Sequence, residues 1–162
     1  MLTADDVIQA LELEPHVEGG YFGRSFVSDS RFDDSRNLWT SIYFMLKTGE
    51  VSHLHQLTAD EMWYFHSGES LTIYMISEQG ELTEAQLGMD LAKGERPQVL
   101  VPKGTIFGSA MNNPGYSLVG CMVAPGFTFD DFKLFGRDEL LERFPEHQAL
   151  INRLTRQRAL QG

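Results

Sequence analysis

The sequence lacks most of what would place it outside the ordinary small globular proteins. Cysteine occurs once in 162 residues, at Cys121, so no internal disulfide can form, as expected of a reducing compartment. Cys121 sits in the apolar run 117–124 with no histidine or cation beside it. That setting reads as a buried structural thiol rather than a nucleophile. No stretch approaches the roughly 18 apolar residues of a membrane span. The first residues carry Asp5 and Asp6 where a secretory signal would carry base, so no export signal is visible and a cytoplasmic location is expected. Basic residues are also scarce: 13 Lys and Arg stand against 23 Asp and Glu, a net charge of −10. Such a surface repels phosphate backbones and anionic lipid, so neither nucleic acid nor a membrane is expected as a partner. A local pocket can still hold an Arg for a small anionic ligand.

Hydrophobic residues make up 42% of the chain, which is globular usage and argues against disorder. The length suits one well-buried core and is short for two ordinary domains. There is no repeat, low-complexity tract or linker. A single domain over 1–162 is expected, with its core over about 16–135 and a helical tail over about 136–160.

Thr3 and Asp6 form a helix-start signal, followed by the apolar stripe Val7, Ile8 and Leu11, and the helix should stop near Pro15. Gly19-Gly20 marks a turn before a strand over 21–27, and the polar stretch 28–37 reads as a loop. From Leu38 onward, runs over 38–46, 51–56, 61–66, 71–76, 82–87, 98–101, 106–111 and 116–124 read as strands. Turn signals separate them, among them Thr48-Gly49, Ser67-Gly68, Lys103-Gly104 and Pro114-Gly115. Short strands without intervening helices predict a sandwich or barrel. Two short helices, over 138–144 and about 146–160, are expected in the tail.

His53 and His55 alternate along a strand, so both imidazoles are expected on one face. Glu61 follows after a turn. Two imidazoles and a carboxylate on adjacent strands form a set that suits Zn, Mn, Fe or Ni. The framing glycines add specificity: Gly49, His53, His55, Glu61 and Gly68 resemble the first motif of the cupins. Gly94, Pro102, Gly104 and Asn112 resemble the second. That motif supplies one more histidine, and this sequence has Phe107 in its place. With that ligand missing, His53 and His55 also read as hydrogen-bonded pocket residues without a metal.

Four further segments narrow the resemblance. Glu18-Gly19-Gly20-Tyr21-Phe22, Ile42 to Leu46, His55 with Asp60-Glu61 and Trp63, and Leu118 to Phe127 are similar to the cupin five family, over about 11–135. An aromatic or apolar residue at the position of Phe107 is a feature of that family, whereas Arg24 departs from its usual acid. The resemblance implies an all-β fold, the cupin double-stranded β-helix or jelly-roll barrel, with short N- and C-terminal helices. With the many apolar strand positions, it also implies a homodimer.

Fold does not fix chemistry, and three functions stay open. The first is a metal-independent isomerase or epimerase on a sugar-like or keto-acid-like molecule. It would use His55 or His53 as base, Tyr43 or Tyr64 as acid, and Asp60 or Glu61 to tune the imidazole. The second is a metal-dependent dioxygenase or isomerase, with a divalent transition metal held by His53, His55 and Glu61. The third is a non-enzymatic pocket of Trp63, Phe65 and Phe107, with Glu61 and Glu18 at its edge, that binds a small amphipathic ligand.

Overall fold

A computed structural model describes residues 1–156 of the chain. It opens with α1 (Ala4–Ala10), started by a complete capping box. The Asp6 N–H donates to Thr3 Oγ1 at 3.1 Å and the Thr3 N–H donates to Asp6 Oδ2 at 2.9 Å. Such a cap stabilises a short helix by about 1 kcal/mol.

The strands are β1 (Glu14–Pro15), β2 (Tyr21–Val27), β3 (Thr40–Lys47), β4 (Val51–Leu57), β5 (Asp60–Gly68), β6 (Leu71–Ile76), β7 (Leu82–Leu87), β8 (Gln98–Val101), β9 (Ile106–Met111), β10 (Tyr116–Ala124) and β11 (Phe132–Leu134). They form two antiparallel sheets, one ordered β1-β2-β3-β10-β5-β8 and the other β11-β4-β9-β6-β7. This is the two-sheet jelly roll expected from the sequence. The two-residue β1 and three-residue β11 have no sequence counterpart among the expected strands, because so short a run carries no readable alternation. Two short helices close the described chain, α2 (Arg137–Arg143) and α3 (Gln148–Arg153). The second helix is shorter than expected. A single tight turn over Pro145–His147 precedes α3, and the Leu154 carbonyl after it accepts the Leu54 N–H of β4 at 2.8 Å. The remainder of the expected helix, beyond residue 156, lies outside the described residues.

Three apolar clusters follow from the alternation of the strands. Between the sheets lie Phe44, Leu46, Trp63, Ile73, Phe107 and Val119. On the outer face of the five-stranded sheet, Leu54, Ile76 and Ile106 are covered by Leu140, Phe144, Ile151 and Leu154 of the tail. On the outer face of the six-stranded sheet, Met45 is covered by Val7 and Leu13, with Tyr43 packed against them. Burying side chains of this size contributes roughly 1.5–3 kcal/mol each, so α1 and the tail are held by packing far more than by their few helical turns.

The phase of β4 changes along its length. Val51 and Ser52 pair with Ala110 and Ser109, whereas His55 and Gln56 pair with Phe107 and Ile106. One extra residue is therefore inserted between Ser52 and His55. The orphaned backbone groups are satisfied from outside the sheet: the His53 N–H donates to the Glu18 carbonyl at 2.6 Å and the Leu54 N–H to the Leu154 carbonyl. A bulge reverses which residues share a face. Ser52, whose Oγ lies 2.9 Å from Ser109 Oγ, joins His55 on the inner side, and His53 does not.

Candidate functional site

A cavity of about 330 Å³ opens at one end of the barrel. Its polar groups include Glu14 on β1, His16 and Glu18 before β2, Arg24 on β2, Thr40 on β3, His55 on β4 and Glu61 on β5. Phe22 of β2 and the cluster Phe127, Phe129 and Phe132 supply aromatic walls. The rings of Phe127 and Phe129 are 5.1 Å apart, and those of Phe127 and Phe132 are 5.9 Å apart.

The segment ahead of β2 is docked onto β4 rather than standing free. The Glu18 carbonyl accepts both the His53 N–H and the His53 Nδ1–H, the latter at 2.7 Å. Gly19 makes the approach possible: its φ is +109°, and a Cβ there would sit 2.2 Å from the Val51 carbonyl oxygen. Only glycine tolerates that combination. The Glu-Gly-Gly turn thus delivers the Glu18 carboxylate into the barrel, where Glu18 Oε2 lies 2.8 Å from His55 Nε2.

The protonation of the histidines follows from their partners. A carbonyl can only accept, so His55 Nδ1, 2.7 Å from the His53 carbonyl, carries a proton. Its Nε2 meets the Glu18 carboxylate. Both nitrogens are therefore donors and the ring is an imidazolium paired with a carboxylate. Burial opposes charge on His55, but the Glu18 carboxylate outweighs it and raises the imidazole above its ordinary value. Burial likewise opposes charge on Glu18, and the surrounding histidines, led by His55, bring that carboxyl below its ordinary value. His16 is the opposite case. Its Nδ1 accepts the Glu18 N–H at 3.0 Å, and burial pushes the ring below its ordinary value. It is a neutral imidazole with its proton on Nε2, and that N–H has no partner among the described residues.

Glu61 is 7% exposed and has no paired cation of its own. Burial, reinforced by the Glu18 charge, raises its carboxyl to about 7. His55 pulls the other way, as do the Cys121 thiol and the Trp63 indole beside the carboxyl. The indole N–H closes no hydrogen bond. Burial and Glu61 in turn push the Cys121 thiol well up, which suits a structural thiol. A carboxyl titrating near neutrality, a neutral imidazole N–H and a buried ion pair can together move a proton at a substrate carbon.

Several sequence expectations need correction. Tyr43 and Tyr64 lie on the outer face of the six-stranded sheet, because the inward residues of β3 and β5 are Ile42 and Phe44, and Glu61 and Trp63. Neither tyrosine borders the cavity. His53 is turned out of it by the β4 bulge and bonded to the Glu18 carbonyl. Burial holds that ring below its ordinary value. His55 does border the cavity, but as an imidazolium it is no free base. Trp63 and Phe107, each 1% exposed, and the partly buried Phe65 pack in the core beneath the pocket rather than lining it. Phe107 stacks beside His55 with centroids 4.1 Å apart, filling the slot of the missing histidine.

His53, His55 and Glu61 do not converge as metal ligands. Among the described residues, no group of three or more His, Cys, Asp or Glu side chains is arranged to hold a metal. Both His55 nitrogens are already committed. Glu18 and Glu61 do border the cavity as expected.

His16 and the phenylalanine wall are not among the site residues expected from the sequence, and Arg24 stands out there only as a departure from the family's usual acid. Two signals were present: His16 stands two residues before Glu18, and Phe127, Phe129 and Phe132 fall within six residues. Asp131, beside the cavity rim, is half-buried. It binds the Thr58 hydroxyl at 2.9 Å and the Thr128 hydroxyl, and lies 3.8 Å from Arg36, tying down the rim that carries Phe129. Among the described residues no helix is long and apolar enough to cross a membrane.

Residues 5–135 match the family described as Cupin superfamily (DUF985). A Shewanella oneidensis protein of solved structure is 68% identical, with a TM-score of 0.95 over 96% of this chain and 99% of that one. A hypothetical protein from Leishmania major is 35% identical, with a TM-score of 0.90 over 96% of this chain and all of that one. Oxalate decarboxylase from Bacillus subtilis is 18% identical, with a TM-score of 0.56 over 86% of this chain and 36% of that one, a likeness of fold alone. No curated protein matches the chain.

Proposed function

Because the chain belongs to the DUF985 family of the cupin superfamily, a fold that carries many chemistries, we propose its function from the cavity itself: a metal-independent isomerase or epimerase that moves a proton beside a substrate carbonyl. The observation that carries this reading is the convergence of Glu61, His16 and the His55–Glu18 pair on one aromatic-walled cavity. Ionised Glu61 takes the proton from the carbon. The neutral His16 Nε2–H donates to the carbonyl oxygen as negative charge grows there. The protonated Glu61 then returns a proton by one of two routes. It goes either to the same carbon, on its opposite face once the enolate has turned over in the cavity, or to the former carbonyl carbon while a hydroxyl on the first carbon gives its proton to the enolate oxygen. The ion pair stays fixed beneath. A base near the working pH and a neutral donor suit enolisation.

Bacillus subtilis oxalate decarboxylase has Mn(II) centres, but the donor set here does not suit a metal, since His55 bridges Glu18 and the His53 carbonyl. Elemental analysis of protein purified without chelator tests this directly. A stoichiometric transition metal that disappears in His55→Ala would overturn the metal-independent reading.

For the chemistry, proton NMR in D2O with a panel of keto acids and ketoses should show solvent deuterium entering next to the carbonyl above the uncatalysed rate. Glu61→Gln should abolish the exchange, and His16→Gln should slow it about 10²-fold. Binding across the panel without enzyme-dependent exchange would sink this reading in favour of a non-enzymatic binder, which the phenylalanine walls also support.

A further inference from the structure

Arg24 is the one guanidinium or ammonium group bordering the cavity among the described residues. It is exposed, on a strand whose inward residue two places earlier is Phe22. The strand is irregular at this point: Arg24 pairs with Ile42 but Phe26 pairs with Ser41, so Ser25 is inserted between them. The Ser25 hydroxyl bonds to that of Ser41 at 3.1 Å. Bulges beside pockets re-aim side chains, and Arg24 is the last residue before this one.

Arg24 has no hydrogen bond or ion pair among the described residues, although the chain carries ten more acidic than basic residues. Arg36, near the same rim, is by contrast engaged with Asp33 and Asp131. Glu14, the other charged residue at the mouth, also borders the cavity and is exposed. It lies beyond ion-pair distance of Arg24. An Arg left open in an acidic protein is free to fork onto a carboxylate or phosphate.

The rest of the lining limits the body of the ligand. Phe22, Ile42, Leu57, Val123, Phe127 and Phe132 are apolar, and few polar side chains are left over to satisfy the several hydroxyls of a sugar. Each hydroxyl buried without a partner costs about 1–3 kcal/mol. The volume of about 330 Å³ lies at the small end of ligand pockets.

We propose that the cavity takes a small organic anion with a compact apolar body, a keto acid or a phosphate monoester rather than a sugar, its charged end held by Arg24 and its body against the Phe127, Phe129 and Phe132 wall. This rests on the reading of the cavity as a substrate site, and it is tested by binding rather than by turnover.

Calorimetric titration with two matched pairs, phenylpyruvate against phenylacetone and phenyl phosphate against phenol, measures the contribution of the charge. At least one anion should bind about tenfold more tightly than its neutral partner, and whichever pair shows the preference identifies carboxylate or phosphate. Arg24→Gln should bring that pair within about twofold of each other, while Arg24→Lys should keep part of the preference. Because Arg24 is exposed and unpaired, both variants should melt as the parent does without ligand. Equal binding of anion and neutral partner, a preference that survives in Arg24→Gln, or no binding of either anion at millimolar concentration would each overturn the proposal. Anion preference without deuterium exchange would sink the proton-transfer reading and leave this one standing. Exchange on neutral ketones without anion preference would do the reverse.

Discussion

Glu61 is a buried side chain whose charge changes near neutrality, and it titrates at a cost to the fold. Its carboxyl is raised from 4.5 to about 7 in the folded protein, so between those values the native state holds a proton that the unfolded chain has released. Stability from this group is complete below about pH 4.5 and is lost as pH rises through about 7. Removing the titration in Glu61→Gln should therefore leave stability unchanged near pH 4.5 and raise it by on the order of 1–3 kcal/mol at pH 8. Urea unfolding at the two pH values measures this, and a variant less stable than the parent at pH 8 would contradict the burial argument. His55 and Glu18 behave as a unit. Each is raised or lowered by the other, and replacing one leaves a buried charge alone. His55→Asn should cost about 3 kcal/mol, and adding Glu18→Gln to it should cost much less than the sum of the two single changes. Additive costs in a double-mutant cycle would mean that the pair is not coupled.

The strands set these residues in place through their irregularities as much as through their regular pairing. The β4 bulge separates His53 from His55, and the β2 bulge sets the position of Arg24. Glycines permit the close approaches. Gly49 and Gly68 occupy equivalent-looking ends of the first motif, with φ of +81° and +88°, yet they differ in what surrounds them. A Cβ on Gly49 meets nothing within 4 Å, whereas one on Gly68 would lie 2.1 Å from the Tyr116 carbonyl oxygen. Gly49→Ala should cost about 1 kcal/mol from backbone strain alone. Gly68→Ala should cost clearly more, since β10 must move away from β5. Gly19→Ala should resemble Gly68→Ala in thermal melts and should also weaken ligand binding, because the same contact sets Glu18. Equal melting temperatures for the Gly49 and Gly68 variants would refute the distinction.

At the scale of the molecule, we propose that the homodimer expected from the sequence pairs through exposed apolar side chains, Phe26 and Val27 at the end of β2 and Phe32 and Leu38 in the segment joining β2 to β3. Patches of this kind commonly mark contact surfaces. Light scattering at micromolar concentration should give twice the chain mass of 18.3 kDa, and a single-chain mass would refute pairing. The jelly roll itself was legible in the sequence, since the runs 21–27, 71–76, 98–101 and 116–124 coincide with observed strands and alternation is a local property of the chain. Glu61 and Glu18 were legible as pocket residues for a similar reason, each lying within a recognisable motif. The roles of the histidines were not. Strict alternation places His53 with His55, and only the insertion in β4, whose freed N–H groups are taken up by Glu18 and Leu154, separates them. Likewise His55 looks like a base until Glu18, 37 positions away in the chain, is folded onto its Nε2. The sequence by itself determined the sheets and the candidate carboxylates, because hydrophobic period and turn chemistry act between near neighbours. Only the tertiary structure decided which of those groups is charged, neutral or free to titrate, because burial and Coulomb partners are contributed by residues distant in the chain.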